Sequence, residues 1–121
     1  MAGYKDLEAW KKSMELVREV YEATKDYPKE ELFGLTSQTK RAAVSVPTNI
    51  AEGSGRNYKK DTIQFLHIAR GSLYEVDTLL NVAAMVEILQ EDKFNKLHKM
   101  TEECIKILNG LISYYEKSNL K

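Results

Sequence analysis

Apolar residues recur along this chain at steps of three and four, and almost nowhere at steps of two. Threes and fours gather side chains on one face of a helix, whereas twos would gather them on one face of a strand. The pattern therefore predicts helices and no sheet. The first helix is expected from about Lys5 to Tyr27, with two adjacent stripes. Leu7, Trp10, Met14, Val17, Tyr21 and Thr24 form one; Ala9, Ser13, Leu16, Val20, Ala23 and Tyr27 form the other. Together they make an apolar face wider than a single core contact requires. Pro28 disfavours a helical conformation in the residue before it and is expected to stop this helix.

A second helix is expected from about Leu35 to Glu52. Gly53 and Gly55 are expected to end it through a left-handed cap. Asn57 is a candidate N-cap for a third helix reaching about Glu87, with Asp61 near its positive end. Phe65, Ala69, Ser72, Val76, Leu79, Ala83 and Val86 follow a strict four-three step there. A fourth helix starts near Glu91 and repeats the step in Phe94, Leu97, Thr101, Cys104, Leu108, Leu111 and Tyr115. Sustained four-three steps belong to helices packed nearly parallel to one another. Four long helices with short links predict an all-α, antiparallel up-down four-helix bundle, a single domain over residues 1–121. Trp10, Phe65, Leu73, Val76, Leu97 and Leu108 are the expected core.

The second helix breaks the pattern. Its apolar stripe is thin, and beside it runs a polar one: Gln38, Arg41, Ser45, Asn49, Glu52 and then Arg56. Pro47 lacks an N–H, so the carbonyl of Ala43 loses its usual partner and a local bend is expected, with Ser45 or water taking up the slack. A solvated face usually carries Lys and Glu; this one carries Ser, Asn, Pro and Gly, which are poor helix formers. Arg41, Ser45, Asn49, Glu52, Arg56 and, on the third helix, Glu75 are therefore expected to form a structural polar network at a helix or subunit contact.

Charge and composition narrow the chemistry. The 18 Lys and Arg balance 18 Asp and Glu, which argues against a chain devoted wholly to coating nucleic acid. The charge is uneven, however. Between Thr36 and Lys60, five cations (Lys40, Arg41, Arg56, Lys59 and Lys60) face the single carboxylate Glu52. Lys40, Arg56, Lys59 and Lys60 are candidate contacts for RNA or DNA, with the loop before the third helix as a basic rim. One cysteine, Cys104, fits a reducing cytoplasm and sits in an apolar stripe, where a buried inert thiol is expected. The charged N-terminus lacks an apolar signal core, and no apolar run is long enough to span a membrane. His67 and His98 stand on different helices without metal-ligand spacing, and "GSGR" follows a helix rather than a strand and has no phosphate-loop lysine. No catalytic residue, cofactor or metal is expected.

The run "LTSQTKRAAVSVPTNIAEGSGR", followed by "FLHIARGSLYEVDTLL", closely resembles the four-helix-bundle family of 23S ribosomal-RNA intervening-sequence proteins. The opening "YKDLEAWKKSMELVREVYEATKDYPKEELFGL" is similar to the same family's start, so the likeness spans nearly the whole chain. Some members of that bacterial family are encoded inside insertions in large-subunit ribosomal RNA genes. A related branch serves reverse transcriptases of diversity-generating retroelements as an accessory protein. The resemblance implies a homopentameric ring without catalytic activity. It places the family's motif on Arg41, Ser45, Pro47, Asn49, Glu52, Gly53 and Arg56, and on Phe65, Ala69, Ser72 and Glu75. The expected function is that of a non-catalytic oligomeric accessory protein bound to nucleic acid or a nucleic-acid-handling partner. The alternative is a protein-binding scaffold ring.

Overall fold

The computed structural model describes residues 3–121. Among these residues it contains four long helices and no strand: α1 (Glu8–Thr24), α2 (Ser37–Ser54), α3 (Lys59–Met85) and α4 (Glu91–Lys117). A 3-10 turn (Tyr4–Asp6) precedes α1. A second 3-10 turn (Lys29–Glu31) and a wide π-type turn (Leu32–Thr36) join α1 to α2. Around the bundle the neighbours are α1 with α2, α2 with α3, α3 with α4, and α4 with α1.

Cross-helix contacts give the direction of each pair. Ser45 meets Ser72 while Gly53 meets Thr62, so α2 and α3 run oppositely. Arg70 meets Asn109 while Asp77 meets His98, so α3 and α4 do too. Lys96 reaches Glu19 and Lys93 reaches Asp26, which sets α4 against α1. The four helices thus alternate up and down around one shared core.

That core has a heptad register. On α3, Leu66, Leu73 and Leu80 are buried seven residues apart, interleaved with Ala69, Val76 and Ala83. The expected α3 stripe shares only Ala69, Ser72, Val76 and Ala83 with the buried set. Phe65 and Leu79 sit half-buried at its edge, and Val86 is exposed. Leu73, Val76, Leu97 and Leu108 are buried as expected. Trp10 and Phe65 are only half-buried, because they lie on helix flanks and not on the line facing the bundle axis. Of the two α1 stripes, the one containing Ala9, Ser13, Leu16 and Val20 faces the core.

Three local expectations are corrected. The left-handed cap at Gly53 or Gly55 does not form: no glycine has positive φ, Gly53 lies inside α2, and Gly55 has φ −88°. Gly53 is there for close packing, since a Cβ on it would lie 3.0 Å from Cβ of Phe65 and 3.2 Å from the carbonyl oxygen of Thr62. Asn57 does not cap α3; Tyr58 holds the cap position without a side-chain bond. Helix α1 ends at Thr24, not at Pro28, and tapers through tight bonds from the N–H groups of Lys25, Asp26 and Tyr27 to carbonyls three residues back. The left-handed residue is Glu87, at φ 64°, where Ile88 N–H closes the end of α3 on the carbonyl of Ala83.

Candidate functional site

Two places hold the residues that the sequence singles out. The first is the outward seam between α2 and α3. Small residues let these helices come close there, and polar groups fill the seam. Asn49 Nδ2 donates to the carbonyl of Ser45 at 2.8 Å and to its Oγ at 3.0 Å. Ser72 Oγ donates to the same Ser45 Oγ at 2.9 Å. Ser45 thus ties α2 to α3, and the contacts shown for its hydroxyl do not serve the helix gap opposite Pro47. Pro47 itself is buried within α2.

Further along the seam, Arg56 pairs with Glu52 at 3.0 Å and its guanidinium lies 4.6 Å from the centre of the Phe65 ring. This pair is open to water: the two side chains are 43% and 55% exposed. Arg41 and Glu75 are exposed as well, and neither makes an ion pair with a described residue. Within one chain four of the six residues therefore fall into two separate groups, Asn49–Ser45, joined by Ser72, and Glu52–Arg56, with Arg41 and Glu75 outside both. Ser72 is the member of the seam's bonded set whose hydrogen bond the sequence reading did not anticipate. Its spacing relative to Ser45 in an antiparallel pair is the signal for it.

The second place is the end of the bundle where α2 stops and α3 starts. Arg56 and Lys60 are exposed there, and Lys59 is half-buried. Lys59 is engaged twice: its backbone N–H donates to the carbonyl of Lys121 at 2.7 Å, and its Nζ donates to the carbonyl of Ser118 at 3.1 Å. These bonds bring the end of α4 alongside, and with it the exposed Lys117 and Lys121. Neither was singled out from sequence, although an up-down bundle must place the end of α4 beside the start of α3. Lys40 is not at this end. It sits near the opposite end of α2, sixteen residues or about 24 Å from Arg56, with Nζ 4.7 Å from the centre of the Tyr21 ring.

Other reactive groups are dispersed. His67 is exposed on α3. His98 Nδ1 lies 2.7 Å from Asp77, and its Nε2 lies 3.3 Å from Glu102. Cys104 is buried, which pushes its thiol up to about 12. Among the described residues, no group of three His, Cys, Asp or Glu is placed to hold a metal ion, and no helix is long and apolar enough to cross a membrane.

The 23S rRNA-intervening sequence protein family matches residues 5–110. The chain belongs to that family. The chain is also similar to a crystal structure from Bacteroides thetaiotaomicron VPI-5482, described as a protein of unknown function from the S23 ribosomal protein family. The two are 23% identical, with a TM-score of 0.80 over 87% of this chain and 95% of that one. At that identity the likeness shows a shared fold. No curated protein matches the chain.

Proposed function

We propose that this chain is a non-catalytic accessory protein that works as a homo-oligomer, a pentamer by family resemblance, and presents its basic end to RNA, DNA or a ribonucleoprotein. The observation that carries the reading is the convergence of Arg56, Lys59 and Lys60 with Lys117 and Lys121 at one end of the bundle, drawn together by the Lys59 bonds to Ser118 and Lys121 just beyond α4. Ring symmetry repeats that end on one rim, so a neutral chain acquires a local positive band. Lysines that neutralise phosphates release counterions on binding and give affinity without sequence preference. The family's link to an intervening sequence in 23S rRNA supports nucleic acid as the partner class. The single buried thiol suits a reducing compartment such as the cytoplasm. The zero net charge favours the rival reading, a protein-binding scaffold ring.

Fluorescence anisotropy with single- and double-stranded RNA at low salt tests this. Binding is expected to weaken as salt rises, with a logarithmic slope of about 0.7 to 0.9 per phosphate neutralised. Lys60→Glu with Lys117→Glu is expected to abolish it. Both side chains are exposed and make no ion pair with a described residue, so the fold is left intact, whereas Lys59 is avoided because it holds the segment after α4. No binding at low salt, or binding indifferent to salt and to the double variant, leaves the scaffold reading in its place.

A further inference from the structure

We propose that the groove between α1 and α2 of one copy of this chain seats the outer stripe of α3 from a second copy, head to tail. The proposal rests on the oligomer reading above and adds to it which two faces meet.

The groove consists of two clefts, of about 330 and 450 Å³, that share Val44 and Thr48. Met14, Tyr21 and Val44 line it and are 42%, 41% and 39% exposed, with Pro47 at its floor. These α1 residues belong to the stripe of Leu7, Trp10, Met14, Val17, Tyr21 and Thr24, whose Met14 and Tyr21 the bundle core leaves open while Leu7, Trp10 and Val17 pack against its edge. No carboxylate lines either cleft. Lys40 and Arg41 close one end, and neither makes an ion pair with a described residue. A groove that is apolar along its length and cationic at one end selects an occupant that is apolar and acidic in the same order.

This chain carries such a surface on α3. Asp61, Phe65, Ile68, Ser72 and Glu75 follow one another at steps of four and three along one side of α3. Ser72 is buried against Ser45 and Phe65 is half-buried beneath Arg56, so Ile68 and Glu75 are the apolar and acidic members that face outward. Ile68 is 46% exposed at its middle, and neither Asp61 nor Glu75 makes an ion pair with a described residue.

The heights of the two faces agree. The bond between Ser45 and Ser72 places those residues at one level along the bundle. Because α2 and α3 are antiparallel, Arg41 is level with residue 76, within about 1.5 Å of Glu75. The contact between Lys40 and Tyr21 likewise makes Met14 level with Pro47. Ile68 is level with Asn49, two residues or about 3 Å from Pro47. Two copies standing the same way up therefore bring Ile68 to Met14 and Pro47, and Glu75 to Arg41 and Lys40, with no shift along the axis. The two faces are different patches of one surface, so the contact is heterologous and generates a ring where its rotation closes.

Sedimentation or light scattering across a concentration series tests the assignment, with circular dichroism confirming that each variant keeps its helices. Ile68→Asp and Met14→Asp are expected to shift the wild-type oligomer to monomer. Glu75→Arg and Arg41→Glu, each alone, are expected to weaken assembly by about tenfold or more, and the two combined to restore it. A wild-type chain that stays monomeric at every concentration removes the oligomer reading and this one with it. A wild-type oligomer that none of these variants loosens overturns the faces alone. Weakening by both single swaps without rescue in the double overturns the Arg41–Glu75 pairing. Unchanged size with lost RNA binding assigns the groove to nucleic acid, and overturns the proposal.

Discussion

His98 stands between carboxylates from two helices, Asp77 of α3 and Glu102 of its own α4, with Lys106 along the same cleft. The hydrogen bond that the imidazole donates to Asp77 is the largest influence on His98 and raises its pKa above the usual value, while partial burial opposes the rise. A raised folded-state pKa contributes stability in full below the unfolded value, and that contribution is lost as pH rises through the folded value. The α3–α4 tie is therefore strongest in mild acid and weakens through neutral pH. Melting temperature is expected to fall between about pH 6 and 8 in the wild type, and to fall less in Asp77→Asn; equal pH profiles would contradict it. The size is modest, a few tenths of a kcal/mol, because the pair is about one-third exposed and water screens it. The Glu52–Arg56 pair is more exposed still and is worth at most about 1 kcal/mol within one bundle. Within a single chain Glu52 therefore pairs with an arginine that water already reaches.

At the scale of elements, the α2–α3 seam shows what the glycines and small residues do. Gly53 was expected to turn the chain, yet its backbone stays helical and its hydrogen side chain lets α3 pass. Thr62 uses that proximity, donating its hydroxyl to the carbonyl of Gly53 at 2.8 Å. A methyl group at position 53 meets the Phe65 Cβ and the backbone of Thr62, neither of which swings aside cheaply. Gly53→Ala is expected to lower stability by about 1 to 3 kcal/mol, despite the better helix propensity of alanine. Chemical denaturation measures it, and a stabilised variant would mean that the seam opens without cost. The end of α3 makes a complementary point: Glu87 takes the left-handed position that glycine usually fills, and nothing in the local sequence marks it.

For the whole molecule, one shared core draws on all four helices, from Leu16 and Val20 on α1 to Leu108 and Ile112 on α4. Helices that share a core lose its contacts together. Residues 1–121 are expected to melt in a single transition, with equal calorimetric and van't Hoff enthalpies per cooperative unit. A separate early transition for α1 would contradict it, and would fit a helix held partly by a neighbouring copy.

The four-three pattern carried the helix count, the absence of strands among the described residues, and part of the core, including Val76, Leu97 and Leu108, while the Leu66, Leu73 and Leu80 line of α3 lay beside the expected stripe. Periodicity reports which side chains share a face, and burial of that face follows with little else. It does not report which of two adjacent stripes wins. On α1 both were legible, and only the packing of α2 and α4 on either side made the Leu16 stripe the interior and left Met14 and Tyr21 half open. Nor does it say how far apart residues stand along the axis. Lys40 and Lys59 are both cations in one basic stretch of sequence. The helical rise separates them, while the return of α4 brings Lys117 and Lys121 beside Lys59 across nearly sixty residues. Faces were determined locally, by a repeat shorter than one helix; neighbours at the ends and seams were decided only when antiparallel packing brought distant turns to the same height.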